Sequence, residues 1–480
     1  MTDQPRDAWE MAAAVRSGEV LAEELTEAAL TRIAAVDDEV NAFTVVLAEE
    51  ARAAAKRADE TRRAGGPVPP LLGVPVSVKD HVWLAGTPAT NGSRALEGFV
   101  PDVDAVPVAR LKAAGAVIVG KTNNPEFCYR GYTDNALWGL TSNPWSLDRT
   151  PGGSSGGAGA SVAYGATPIA LGTDGGGSIR IPSAFCGVVG HKPTFGLVPK
   201  LPGFRGWPSL SVDGPLTRSV RDAALALAVM AGPSPYDEAT WPVDVGDLCR
   251  AVTEPVDWST LRVAVSEDLG WAAVEPVVRA AFRTAVDALV GAGARVEEAA
   301  PDTAYPVELW NAVALPEGYA SEGPLLAEWG DAMTPGTREI IESGHAVTAG
   351  DYLDAQTRRG EYTARWAEFF TEYDVLLAPS MPLPAFGTDV DSPTSIDGVP
   401  VDPFFDDWCA LALPANLTGM PACAVPTGFT DDGLPVGMQV IGPRWSDARV
   451  LAVAAAHERL SPWADRWPPV IGQPRGAAQR

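Results

Sequence analysis

At 480 residues the chain is longer than one hydrophobic core usually organises, so length alone points to two or more domains. Apolar residues make up 46% and charged residues 20%, which is the composition of a globular enzyme with ample core rather than of a disordered chain. The formal charge of −25 at pH 7 repels phosphate, so nucleic acid and anionic membranes are excluded as expected partners.

The opening MTDQPRDAWEMAAAVRSGEV has no apolar core of a signal peptide, and no stretch approaches about 18 uninterrupted apolar residues, so neither a leader nor a membrane span is expected. Leu21, Leu25, Ala28, Ile33 and Val36 recur at helical steps and predict helix across 7–62, with a second helix from about 46 to 64 stopped by Gly65-Gly66-Pro67. VPVSVKD then reads as a buried strand that delivers Lys79 at its end. VPVARLKAAGAVIVGKTN reads helix, glycine stop, strand. Between two glycine clusters in 150–182 lie a short Ala-rich helix (157–165) and an apolar strand (168–172). SVRDAALALAVMAG predicts a helix ending at Gly232, and the Pro/Gly/acid-rich 231–246 is the best boundary. LRVAVSEDLG, VEPVVRAAFRTAVDALVGAG and ARVEEAAP repeat strand, helix, strand and argue for an α/β architecture. Residues 303–400 read as less regular; DVLLAPSMPLP, PACAVPTGF and GLPVGMQVIGP read as late strands.

Five cysteines (128, 186, 249, 409 and 423) form no CxxC pair and, with four scattered histidines, predict no structural zinc site; sparse and apolar-flanked, they suit free thiols in a reducing cytoplasm. Two other patterns match on paper only. Gly115 to Thr122, GAVIVGKT, fits the phosphate-loop pattern, but its Ala-Val-Ile-Val favours a strand and a helix precedes it. GGSSG fits a nucleophile elbow around Ser154, yet an elbow needs a strand running into it, and Leu147-Asp148-Arg149-Thr150-Pro151 is turn chemistry. His191, His345 and His457 stand as the bases for that histidine-triad alternative.

TDGGGSIR has another logic. Three glycines before Ser178 free the backbone to present successive N–H groups to one concavity, the arrangement that stabilises an oxyanion beside a nucleophile. Asp174 and Arg180 flank the run and can pair to hold it. The alternative is a glycine-rich turn capped by serine. Lys79, at the end of Val74, Val76 and Val78, is a base if burial keeps it neutral, or a structural partner of Asp80.

PGGSSGGAGA followed by GTDGGGSIRIPSAFCGVVGHKPT resembles the amidase signature family, whose catalytic set is Ser–cis-Ser–Lys. Lys79 stands 75 residues before Ser154, and Ser178 stands 24 after it, the family's intervals. ELTEAALTRIAAVDDEVNAF, GKTNNPEF, NALWGLTSNPW, DGPLTRSVRDAALAL, NLTGMPACAVPTGF and GLPVGMQVIGP extend the resemblance through nearly the whole chain. It implies an α/β amidase signature fold, a mixed central β-sheet covered on both sides by α-helices, as one domain over 1–480. Within it, 1–66 would be N-terminal helices, 67–232 the catalytic core and 303–400 a variable substrate entrance. The resemblance further implies Ser178 as nucleophile, Ser154 as relay, Lys79 as general base, and the backbone of Gly175, Gly176, Gly177 and Ser178 as oxyanion hole. Ser155, Thr173, Asp174 and Arg180 would support this set.

Phe127, Cys128 and Tyr129 lie in the stretch that borders the acyl pocket in such proteins, and apolar Ile181 disfavours a small charged substrate. Trp310, Trp329, Phe404, Phe405 and Trp408 line the cleft or belong to helical core; His191, in place of the usual leucine before KPT, is expected to be packed. Gly175, where many members carry a larger residue, suits a more open loop. The expected reaction is hydrolysis of a carboxamide with an apolar or aromatic part, with anilides, carbamates and esters sharing the chemistry. No metal or cofactor is expected. The expected protein is a cytoplasmic monomer or homodimer acting on a small amide. The rivals are the glutaminase subunit of a tRNA-dependent amidotransferase, which Ile181 speaks against, and a histidine-triad esterase.

Overall fold

The computed structural model describes residues 7–404 and 407–472. It opens with α1 (Ala8–Ser17), α2 (Ala22–Val40), strand β1 (Phe43–Val46) and α3 (Ala48–Ala64). Asp7 caps α1 by accepting the Glu10 amide at 2.8 Å, and Gly18 closes it at φ 79°. The sequence predicted no strand here. Asp37 makes the break: its carboxylate accepts the amides of Ala42 and Phe43 at 2.8 and 3.1 Å, which turns the chain out of α2 and into β1.

The strands that follow are β2 (Pro75–Lys79), β3 (Val117–Thr122), β4 (Ile169–Asp174), β5 (Val189–Lys192), β6 (Val212–Thr217), β7 (Val263–Val265), β8 (Val296–Glu298) and β9 (Val375–Pro379). A separate hairpin of β10 (Ser395–Ile396) and β11 (Val399–Pro400) precedes β12 (Ala422–Phe429) and β13 (Pro435–Ile441). Eleven strands form one sheet in the order β1-β3-β2-β4-β6-β5-β12-β13-β9-β7-β8. β2 pairs parallel with β3 and β4, and β7 with β8 and β9; the remaining pairings are antiparallel, so the sheet is mixed. The GAVIVGKT segment lies in β3, wholly buried and paired with β2, as a core strand rather than a loop.

Helices in chain order are α4 (Val106–Ala113), α5 (Gly156–Ala163), α6 (Arg180–Cys186), α7 (Val220–Met230), α8 (Leu248–Thr253) and α9 (Pro276–Gly291). Then come α10 (Val307–Glu322), α11 (Leu326–Trp329), α12 (Pro335–Ser343), α13 (Ala349–Glu372), α14 (Leu413–Leu417) and α15 (Asp447–Leu460). One core joins Val76, Val78, Leu171, Val265, Leu377 and Val440 to α4, α7, α9 and α15. On the opposite face Ala264, Leu376, Ala378 and Ala422 pack under α10, α13 and α14. Helices therefore cover both faces, as the sequence predicts. No helix among the described residues is long and apolar enough to cross a membrane.

Residues 303–400 depart from expectation, since α10 to α13 make most of that stretch helical. Three prolines, Pro316, Pro324 and Pro335, fall within this stretch. Pro324 and Pro335 sit in first turns, where a missing N–H is harmless, and Pro316 lies inside α10.

Candidate active site

Alternation along β2 sends Val76 and Val78 into one core and Ser77 to the opposite face, where its hydroxyl meets those of Ser161 and Thr167. Lys79 ends the strand completely buried. β4 runs parallel beside β2, so its C-terminal Thr173 and Asp174 reach the same edge of the sheet, where α/β sheets present ligand sites. The Lys79 ammonium donates to Ser154 Oγ at 2.6 Å and to Thr173 Oγ1 at 2.8 Å. Pairing with Asp80 is not found; that carboxylate accepts from the Thr90 hydroxyl at 2.7 Å and the Gly92 amide at 3.4 Å. Burial pushes Lys79 below the ordinary lysine range, with Cys128, Asp213 and Asp174 opposing it.

Ser154 follows a cis peptide bond from Gly153 and is fully buried. Its neighbour Ser155 ties the loops together: the Ser155 amide donates to the Ser178 carbonyl at 3.1 Å, and its hydroxyl donates to the Thr173 carbonyl at 3.1 Å. Ser154 and Ser178 line one chamber but are not hydrogen bonded to each other.

The glycine run is fastened from below. Arg180 Nε and Nη2 each donate to the Asp174 carboxylate at 3.0 Å, with both side chains fully buried. Arg180 also reaches the Ala412 carbonyl and the side chains of Asn416 and Gln439. Burial alone would raise Asp174, but the Arg180 guanidinium holds its carboxyl well below the usual range. The same carboxylate accepts the Gly177 amide at 2.8 Å and the Ile179 amide at 3.2 Å. Gly177 therefore leaves the predicted set of oxyanion donors, because its N–H is committed to Asp174. No acceptor among the described residues takes the N–H groups of Gly175, Gly176 or Ser178, and all three line the cavities. Nor is the loop more open at Gly175: a Cβ there would come within 2.6 Å of the Trp207 ring, which occupies the space.

Two cavities share Ser178, Cys128, Tyr129 and Trp207. The wider, an open cleft of about 630 Å³, is bordered by Ile181, Val307, Trp310, Leu315, Phe404 and Leu413. The smaller, about 370 Å³, also takes in Ser154, Thr173, His81, Phe127, Ser211 and Glu322. Phe127 borders the smaller cavity, Ile181 the wider, and Cys128 and Tyr129 both. Tyr129, Trp207 and Trp310 meet edge to face with centroids 5.1 Å apart at each step, and Trp310 Nε1 donates to the Gly175 carbonyl at 3.2 Å. Trp408 is instead fully buried, stacked on Phe185, and Trp329 packs in the cluster around Phe127 and Met333. Phe405 lies outside the described residues.

The three histidines considered as bases stand elsewhere. His191 is buried against Asp447 at 3.1 Å, His457 against the Pro426 carbonyl at 2.8 Å, and His345 is exposed beside Tyr319. Reading the sequence missed His81, although it lies two residues beyond Lys79. Its Nδ1 meets Asn91 Oδ1 at 3.0 Å, and burial followed by the nearby Lys79 lowers it to about 4. Trp207, Ser211 and Glu322 were missed too; nothing in their local sequence distinguishes them. All five cysteines are free thiols.

The sequence model of the Amidase family matches residues 24–451. The chain is 40% identical to a glutamyl-tRNA(Gln) amidotransferase subunit of Roseiflexus castenholzii, over 94% of this chain and 95% of that protein. It is 39% identical to an acylamidase of Rhodococcus erythropolis, over 96% of each. The crystal structure of a bacterial aryl acylamidase of the amidase signature enzymes matches with a TM-score of 0.91 and 31% identity, covering 99% of this chain and 100% of that one. Relatives named as subunits do not fit the expectation of a monomer or homodimer. With a match of this length, in sequence and in fold, the chain belongs to the amidase signature family.

Proposed function

We propose that this protein hydrolyses a carboxamide through an acyl-enzyme on Ser178, with Lys79 as base and Ser154 as relay. The observation that carries this reading is Lys79: fully buried, paired with no carboxylate among the described residues, and hydrogen bonded to a serine that shares a chamber with Ser178. Burial favours its neutral amine, whose lone pair then accepts the Ser154 O–H. As the Ser178 oxygen attacks the carbonyl carbon, its proton passes to Ser154 while the Ser154 proton passes to Lys79. Hydrogen bonds of this kind are often long without substrate and tighten in the complex, which suits the separation of the two hydroxyls. The open amides of Gly175, Gly176 and Ser178 stabilise the oxyanion, a donor of this type being worth about 3 kcal/mol in the transition state. The C–N bond then breaks, the departing nitrogen takes its proton back through Ser154, and water repeats the path on the ester. The apolar, aromatic-lined cleft favours an apolar or aromatic acyl group, and acylamidase relatives agree with amide cleavage.

The test compares wild type, Lys79→Ala, Ser178→Ala and His345→Ala for release of 4-nitroaniline from acyl anilides and of ammonia from primary amides. The first two substitutions are expected to lower kcat/KM at least about 1,000-fold and His345→Ala to leave it unchanged. Activity that survives Lys79→Ala sinks the lysine mechanism. Activity that persists in EDTA is likewise expected.

A second reading has its own observation: relatives at about 40% identity carry the name of an amidotransferase subunit. Under it, the chain would release ammonia from glutamine and need partner proteins for full activity. Glutaminase activity of the isolated chain exceeding its anilide turnover would favour that reading over ours.

A further inference from the structure

The two cavities that meet at Ser178 differ in the side chains that line them. Ile181, Val307, Trp310, Leu315 and Leu413 border the wide cleft, whereas Ser154, Thr173, His81, Ser211 and Glu322 border the small chamber. Ser154 borders the chamber and not the cleft. In the reaction proposed above, the departing nitrogen takes its proton from Ser154, so the leaving amine must lie on the chamber side. The acyl part is left to the cleft.

Glu322, the last residue of α10, stands in the chamber wall and is only 6% exposed. Its Oε2 accepts the Tyr129 phenol at 3.0 Å. Among the described residues no other side chain donates to it and no cation pairs with it. A carboxyl buried with one neutral donor is a poor structural element, because desolvation is opposed by little. It is a good receptor for a cation brought by a ligand.

We propose that Glu322 is a specificity-determining residue that receives an ammonium on the leaving amine, so that the favoured substrates are N-acyl derivatives of small diamines. This deepens, and rests on, the assignment of Ser178 and Ser154. The ionisable groups facing Glu322 are Tyr129, Cys128 and Arg205, with His81 across the chamber. Burial, then Cys128, raise its carboxyl to about 8, while Tyr129 and Arg205 oppose the rise. His81, lowered to about 4, is uncharged near neutrality and does not compete for the carboxylate. To pair with an ammonium Glu322 must lose its proton, so selection for the cation strengthens as pH rises towards 8.

The experiment uses Ser178→Ala, which binds without turnover, and two ligands of matched size, N-(2-aminoethyl)benzamide and N-propylbenzamide, followed by calorimetry. The amino ligand is expected to bind at least about tenfold more tightly, with the ratio growing from about pH 6.5 to about pH 8.5. In Ser178→Ala/Glu322→Gln, where glutamine still accepts the Tyr129 hydrogen bond, the ratio falls to near one. Equal binding of the two ligands across the pH range overturns the proposal, and so does a preference that survives Glu322→Gln. The pH series on Ser178→Ala alone decides the matter if the double variant does not fold. Turnover by the wild type separates the two levels: selective binding without hydrolysis refutes the hydrolase reading and keeps the receptor. Hydrolysis of both amides without preference does the reverse.

Discussion

Lys79 occupies the point where β2 stops alternating between two cores and meets the end of β4, so a long basic side chain is enclosed against two hydroxyls, with no carboxylate among the described residues in direct ion pair with it. The pH dependence of the proposed reaction follows from that enclosure. Burial lowers Lys79, so its neutral form is reached below the ordinary lysine range, and protonation at the acid end removes the base. We expect kcat/KM for an acyl anilide to rise with pH and to level off below the ordinary lysine range. Nearby, Asp174 and Arg180 are a stability problem as much as a catalytic one. Asp174→Asn leaves a buried guanidinium without its counter-charge, so a loss of about 3–5 kcal/mol is expected in urea unfolding. At this scale the sequence was informative wherever residues act through their immediate neighbours, as in TDGGGSIR. It was silent on Glu322 and Trp207, which reach the chamber only because α10 and the loop before β6 fold over it.

Elements were legible when one signal dominated, as in the Val-rich run of β2 and the glycine stop after α3. They were missed when local chemistry pointed the wrong way. β6 contains Gly214-Pro215, which reads as a turn, yet the glycine is there because β5 presses against it: a Cβ would strike the His191 carbonyl oxygen. In α13 the buried stripe is only Ala355, Tyr362, Trp366 and Phe370 along 24 residues, too sparse to stand out in a polar stretch. Its start is nonetheless well made. The Thr348 hydroxyl accepts the Asp351 amide at 3.2 Å, and Asp351 accepts the Thr348 amide at 2.9 Å. Thr348→Ala should lower stability by about 1 kcal/mol in denaturant unfolding, with anilide turnover unaltered. A neutral result would mean that packing of the stripe alone holds the helix start.

Across the whole molecule, a charge of −25 spread over one chain opposes compaction through self-repulsion. Raising salt from about 20 mM to about 200 mM shortens the screening length, so the unfolding temperature should rise by a few degrees. An unchanged or falling temperature would show that surface ion pairs such as Arg52–Glu27 outweigh the repulsion. Family and sheet architecture were readable because their motifs are dispersed from the N-terminal helices to β13, so that no local misreading could displace them. The shape of the cavities was not, since walls come from segments nearly 300 residues apart, such as Cys128 and Leu413. The proposed mechanism requires the acyl group to be carried by Ser178 Oγ. Rapid quenching of the wild type with a 4-nitrophenyl ester, followed by peptide mass mapping, tests it most directly. We predict an acyl adduct on Ser178 that is absent in Ser178→Ala; an adduct on Ser154 or Cys128 instead would contradict the mechanism.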